Sequence, residues 1–197
     1  MSTPHARAAR FVAGTAALLV SISAALQSSE SSQTRVNQDA KLIGEFLERV
    51  DTYVAIHKKA DQTVPEVPTS APLEQVAAHR RAVERLIAQA SAKARHGDIF
   101  NQPIRAYFRR QISRAFSGSD AAQLKAAIME ENPGRIKLRI NGQYPDTVPI
   151  STMPPQILAA LPKLPKELEY HFIGERLILL DVHVGLVVDY MDDAVPR

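Results

Sequence analysis

From Thr34 to Lys59, apolar residues recur at three- and four-residue steps: Val36, Ala40, Ile43, Phe46, Leu47, Val50, Tyr53 and Val54, with charges between them. At 3.6 residues per turn these positions form one stripe, which predicts an amphipathic helix over 34–59. The segment "DQTVPEVPTSAP", Asp61–Pro72, carries three prolines and reads as a stiff, extended connection. A second stripe, Leu73, Val76, Ala77, Val83, Leu86, Ile87 and Ala90, predicts a helix from Pro72 to Arg95, with Ser70 as N-cap and His96–Gly97 as the stop. Two helices of similar length joined this way predict an antiparallel hairpin. Asn101 is placed to cap a third helix over 102–116, with Pro103 in its first turn. Ser117–Asp120 separates that helix from a fourth over 120–131, and Asn132–Pro133–Gly134 closes it.

The period changes from 3.6 to two at Arg135. In "RIKLRIN", Ile136, Leu138 and Ile140 alternate with Arg135, Lys137 and Arg139, which predicts a half-exposed strand. Asn141–Gly142 is a turn pair, and Pro145 and Pro149 make the next stretch a poor central strand. A short helix near Pro154–Leu161, capped by Ser151 or Thr152, is followed by three strands: Leu168–Ile173, Arg176–Asp181 and Leu186–Met191. In the predicted meander Tyr170 faces Leu179, which faces Val188, and Phe172, Leu177 and Tyr190 line up beside them. One face then carries Tyr170, Phe172, Leu177, Leu179, Leu186, Val188 and Tyr190; the other carries Glu169, His171, Ile178, Leu180, Val187 and Asp189. Faces of such unequal polarity predict one packed on helices and one partly wet. A helix over Val182–Met191 is the alternative. The expected fold class is α+β: a helical hairpin and two shorter helices packed on a small antiparallel β-meander. The helical region is 34–132, and the C-terminal module, 133–197, belongs with it in one domain.

The N-terminus reads differently. His5, Arg7 and Arg10 precede "FVAGTAALLVSISAAL", Phe11–Leu26, and Ser23 and Ala25 suit the small positions of a cleavage site. Residues 1–25 are therefore expected to be a signal peptide directing export to the periplasm or beyond, followed by a polar spacer over 26–33. An uncleaved anchor is the alternative, although a spanning helix needs about 20 strongly apolar residues. The chain has no cysteine, so packing rather than disulfides must stabilise an exported form. Cleavage removes Arg7 and Arg10 and no acid, which leaves 22 basic and 21 acidic residues. The formal net charge of +3 thus partly describes the leader, and no nucleic-acid partner is expected.

The stretch "MPPQILAALPKLPKELEYHFIGERLILLDVHVGLVVDYM", Met153–Met191, resembles the end of a family of uncharacterised exported bacterial proteins. In that family "LPxLPxxLEYxFxGxxLxLxD" precedes "LVVD". The "HGDIF" and "FRR" segments, within His96–Arg110, are similar as well. The resemblance covers roughly the last half of the chain and is most specific over Leu161–Asp189. It implies export, a helical N-terminal half and a compact C-terminal module, and it brings no assigned activity, cofactor or catalytic residue. The last strands are also similar, over about twenty residues of generic strand–turn–strand pattern, to a β-module ending some periplasmic nickel/cobalt-homeostasis proteins.

Motifs for nucleophilic catalysis, phosphate cradling and zinc hydrolysis are absent: there is no G-x-S-x-G, S-x-x-K, G-x-G-x-x-G, P-loop or H-E-x-x-H. His57, His79, His96, His171 and His183 are too scattered to suggest a metal site, and no cofactor is expected. Glu130–Glu131 and Asp192–Asp193 read as solvated surface. Two functional readings remain. In the first, the protein is a non-catalytic interaction protein of the envelope. It would contact an anionic surface or acidic partner through Arg105, Arg109, Arg110 and Arg114, which flank the apolar stripe Ile104, Phe108, Ile112 and Phe116. The alternative is a small-ligand binding protein or unfamiliar enzyme with a cleft between helices and sheet, lined by Tyr53, Tyr107, Tyr170 and His171. The long first helix could also pair with a second copy. Leu73–Phe116 holds nine basic and three acidic residues, whereas Ser117–Arg197 holds eight and eleven; basic helices facing the acidic module are the alternative that needs no outside partner.

Overall fold

The structure, a computed structural model, describes residues 21–118, 120–130, 136–145 and 147–196, with side chains from residue 37 onward. It divides into two compact units, residues 1–38 and 39–197. In the first unit the described residues, 21–38, are helical and belong to α1 (Ser21–Thr63), which continues into the second unit. Leu26–Gln33, expected as a spacer, is therefore helix; its Ser, Gln and Glu residues include no Gly or Pro to interrupt the turn. The leader prediction falls mainly on residues 1–20, outside the described residues. Among the described residues no helix is long and apolar enough to cross a membrane.

The second unit is α+β, as the residue pattern predicts. After α1 come α2 (Leu73–Ala90), α3 (Gln102–Ala115), α4 (Ala121–Glu130), β1 (Gly142–Gln143), α5 (Pro155–Ala160), β2 (Leu168–Ile173), β3 (Arg176–Asp181) and β4 (Leu186–Met191). The hairpin helices bury Phe46, Val50, Tyr53, Val54, His57 and Ala60 of α1 and Val83 and Ile87 of α2. The start of the α2 stripe is not used: Leu73 and Val76 are exposed. Asn101 caps α3 as expected, its side-chain oxygen accepting from the Ile104 N–H at 3.2 Å. The other expected caps fail. Prolines occupy the N-cap positions of α2 and α5, without side-chain capping bonds, in place of Ser70 and of Ser151 or Thr152.

The sheet has four strands in the order β1-β4-β3-β2, all antiparallel. Its three long strands occupy the predicted ranges, and Leu186–Met191 is strand, not helix. The register of β2 on β3 is also as predicted, with Tyr170 opposite Leu179 and Phe172 opposite Leu177. The β3–β4 register is not. An irregularity between Leu179 and Leu180 places Asp189 opposite Leu179 and Met191 opposite Leu177. One extra residue in β4 turns Tyr190 off the helical face and brings Met191 onto it.

The helical face of the sheet contributes Leu168, Tyr170, Phe172, Leu177, Leu179, Leu186, Val188 and Met191 to the main core. At its centre Phe46, Phe100 and Phe108 meet with ring centroids 5.2–5.8 Å apart, and Tyr170 stands 5.8 Å from Phe108. The expected wet face is covered instead. Ile173, Ile178, Leu180 and Val187 pack with Tyr144, and Ile136, Leu138 and Val148 close over them. This also explains why "RIKLRIN" is not a strand. β4's outer edge is taken by Gly142–Gln143, so Ile136 and Leu138 lie on the sheet rather than in it.

Candidate functional site

Two aspartates in the sheet are fully buried, and both are bonded to saturation. Asp181 ends β3. Its Oδ2 accepts from the Tyr53 hydroxyl at 2.8 Å and from His57 Nδ1 at 2.6 Å, and its Oδ1 accepts from the backbone N–H groups of His183 at 3.0 Å and Val184 at 3.3 Å. Tyr53 and His57 stand one helical turn apart on the buried stripe of α1, so both reach the same oxygen. Because a carboxylate can only accept, His57 Nδ1 carries the proton. The bond to Asp181 raises the His57 pKa, against the opposing effect of burial. Burial first, and then the charge of Asp181, pushes the Tyr53 phenol well above the usual tyrosine range. The exposed His183 ring lies edge-on to His57, 5.2 Å between centroids, and Lys58 approaches the buried Glu167 at 3.8 Å.

Asp189 sits in the irregular part of β4. Its Oδ1 accepts from the N–H groups of Gly97 and Tyr190 at 2.9 and 2.8 Å, and its Oδ2 from those of Ile99 and Phe100 at 2.9 and 2.8 Å. The "HGDIF" loop and the "LVVD" strand, two segments singled out in the sequence, thus meet on one carboxylate. Gly97 is required at this turn: its φ is +89°, and a Cβ there would run into the Arg105 guanidinium.

The four arginines of α3 have separate fates. Arg105 Nε donates to the Phe100 carbonyl. Arg109 donates to the carbonyls of Asp192 and Asp193 at 2.8 and 3.1 Å, a direct contact between the basic helix and the acidic tail. Arg110 pairs with Asp39 at 2.8 Å and lies over the Tyr107 ring, and Arg114 reaches Gln111. Three of the four therefore hold parts of the protein's own second unit. Arg176 bonds Asp192 at 3.1 Å, so that tail is tied twice.

The expected cleft residues do not converge. Tyr53 points at Asp181 and borders a cavity of about 350 Å³ with Arg49, Arg95 and Asn141. Tyr107 is buried on α3 beside Phe108. Tyr170 and His171 do share a site: a groove of about 820 Å³ between β2 and the segment 150–164 that contains α5. Its apolar walls include Ile150, Met153, Leu158 and Leu164. Ile150 and Leu158 are 53% and 51% exposed. Lys163 and Glu169 stand at its polar margin. His171 is fixed there, Nδ1 2.9 Å from the Ser151 carbonyl and Nε2 3.1 Å from Glu169 Oε2, while the Tyr170 hydroxyl donates to the Pro162 carbonyl. Among the described residues no group of three or more acidic or imidazole side chains is arranged to hold a metal ion.

His57, Asp181 and Asp189 leave only weak signals in the residue pattern. His57 continues the apolar stripe of α1, and each aspartate interrupts a run of apolar strand residues. A polar residue in such a place must find partners, but spacing does not say which. No protein-family model, curated protein or solved structure matches the chain.

Proposed function

We propose that the protein is an exported, non-catalytic binding protein of the bacterial envelope, and that it takes its partner in the groove between β2 and α5. One observation carries the reading. The groove presents exposed Ile150 and Leu158 over apolar walls, while the buried groups with chemical potential, His57, Asp181 and Asp189, spend their polar atoms on the fold. An open apolar groove with a few polar groups at its margin suits recognition. The export part of the proposal rests on the leader pattern over 1–25 and on the resemblance of Leu161–Asp189 to exported proteins.

Two measurements test it. N-terminal sequencing of the protein from fractionated cells should find a periplasmic or secreted chain that begins near residue 26; a cytoplasmic chain that begins at residue 1 contradicts export. Titration with the environment-sensitive dye bis-ANS should give saturable binding that is lost in the Ile150→Asp, Leu158→Asp double variant. Absence of binding, or equal binding to the folded variant, contradicts the groove.

A further inference from the structure

The strand order leaves β2 at an edge of the sheet. An edge strand has outward-pointing peptide groups that need partners. Here most are supplied locally. The Ser151 hydroxyl donates to the Phe172 carbonyl at 2.7 Å and accepts from the Phe172 N–H at 3.1 Å, standing in for a neighbouring strand. At the other end the Leu168 N–H donates to the Pro165 carbonyl at 3.0 Å. In an antiparallel pair the peptide groups of alternate residues point the same way, so those of Tyr170, between Leu168 and Phe172, also point outward. Among the described residues they have no hydrogen-bond partner, although Tyr170 is only 2% exposed. Tyr170 lines the groove. A buried donor and acceptor without partners is costly, and the cost is removed by a ligand that supplies both.

We infer that the groove takes an extended peptide segment that pairs with β2 at Tyr170 alone, between the positions filled by Pro165 and Ser151, one of its residues exchanging two backbone hydrogen bonds with Tyr170. The inference rests on the groove-binding function proposed above. The side chain of that residue emerges on the same face as Tyr170, the face on which Ile157 of α5 is packed, and so meets Leu158 and Ile150. It is therefore apolar. Lys163 and Glu169 both stand in the groove, so its margin carries one charge of each sign and the selectivity falls on the apolar side chain. Backbone bonds give such a complex its affinity and the side-chain pocket its selectivity.

The test uses the full chain, ¹⁵N-labelled, and a set of acetylated, amidated heptapeptides with Leu, Ile or Phe at the centre. Binding should shift the Tyr170 amide resonance. N-methylation of the central residue removes the donor to the Tyr170 carbonyl and should weaken binding about tenfold. Leu158→Asp, with an unchanged urea midpoint, should eliminate binding. Equal affinity for the N-methylated peptide, or undiminished binding to folded Leu158→Asp protein, overturns the inference. If the peptides fail while decanoate saturates the groove, strand addition is wrong and the groove-binding function stands. If peptides, decanoate and bis-ANS all fail, both are wrong.

Discussion

Asp189, in the interior strand β4, and the Tyr170 peptide, on the edge strand β2, are both almost wholly buried. Asp189 accepts four N–H groups, three of them from a loop about ninety residues away; the Tyr170 peptide has no partner among the described residues. The two strands that flank β3 thus treat the same problem in opposite ways. Where a loop or helix must be held, the polar group is satisfied from within. Where an apolar groove opens, it is left unsatisfied. The difference separates residues that maintain the fold from residues available for binding, and burial alone does not make that separation.

The largest effect is expected at Asp189. Asp189→Ala leaves the buried N–H groups of Ile99 and Phe100 and the half-buried N–H of Gly97 without an acceptor, and at about 1–3 kcal/mol per buried group the variant should lose about 3–5 kcal/mol in urea denaturation. A loss below about 1 kcal/mol would mean that water or a rearranged loop replaces the carboxylate. At Asp181 the donors include side chains and can be removed singly. Tyr53→Phe deletes one of its four hydrogen bonds and should cost about 1 kcal/mol, read from the same midpoint.

A pH series sharpens the contrast between the two aspartates. His57 faces Asp181 and Tyr53, with His183 beside it and Asp61 and Glu167 adding negative charge nearby. Its folded pKa is raised above the ordinary 6.5, so its contribution to stability is complete below that pH and is lost as pH rises through the folded value. Stability should fall across that window in the parent chain and less in His57→Gln. Parallel curves would remove His57 from the account. Asp189, bonded to backbone N–H groups, offers no such titrating partner. The smallest effect belongs to the groove. Leu158→Asp should shift stability by no more than about 0.5 kcal/mol, because a half-exposed side chain is lost, yet it should remove bis-ANS and peptide binding.

Much of this molecule is legible in its residue pattern, and the failures are instructive. The α1 and α3 stripes, the Asn101 cap and the β2–β3 register follow from periodicity and local hydrogen bonding. The β3–β4 register does not, because the irregularity that seats Asp189 against the "HGDIF" loop answers a partner distant in sequence. For the same reason Ile136 and Leu138 imitate a strand: alternation marks which side chains are buried, not whether a sheet edge is free to pair. Of the four expected cleft residues, Tyr170 and His171 do line one groove, whereas Tyr53 and Tyr107 are claimed by Asp181 and by the aromatic core. The basic character of α3 is visible in its residues, but not that the Phe100, Asp192 and Asp193 carbonyls and Asp39 absorb three of its arginines.

Residue-resolved native-state hydrogen exchange measures the difference between the interior and the edge directly. The Ile99 and Phe100 amides, held by Asp189, should exchange only through global unfolding. The Tyr170 amide should exchange through a much smaller opening than that of Phe172, and should slow when a peptide occupies the groove. A Tyr170 amide as protected as Phe172 in the free protein, or Ile99 and Phe100 amides that exchange early, would contradict the account.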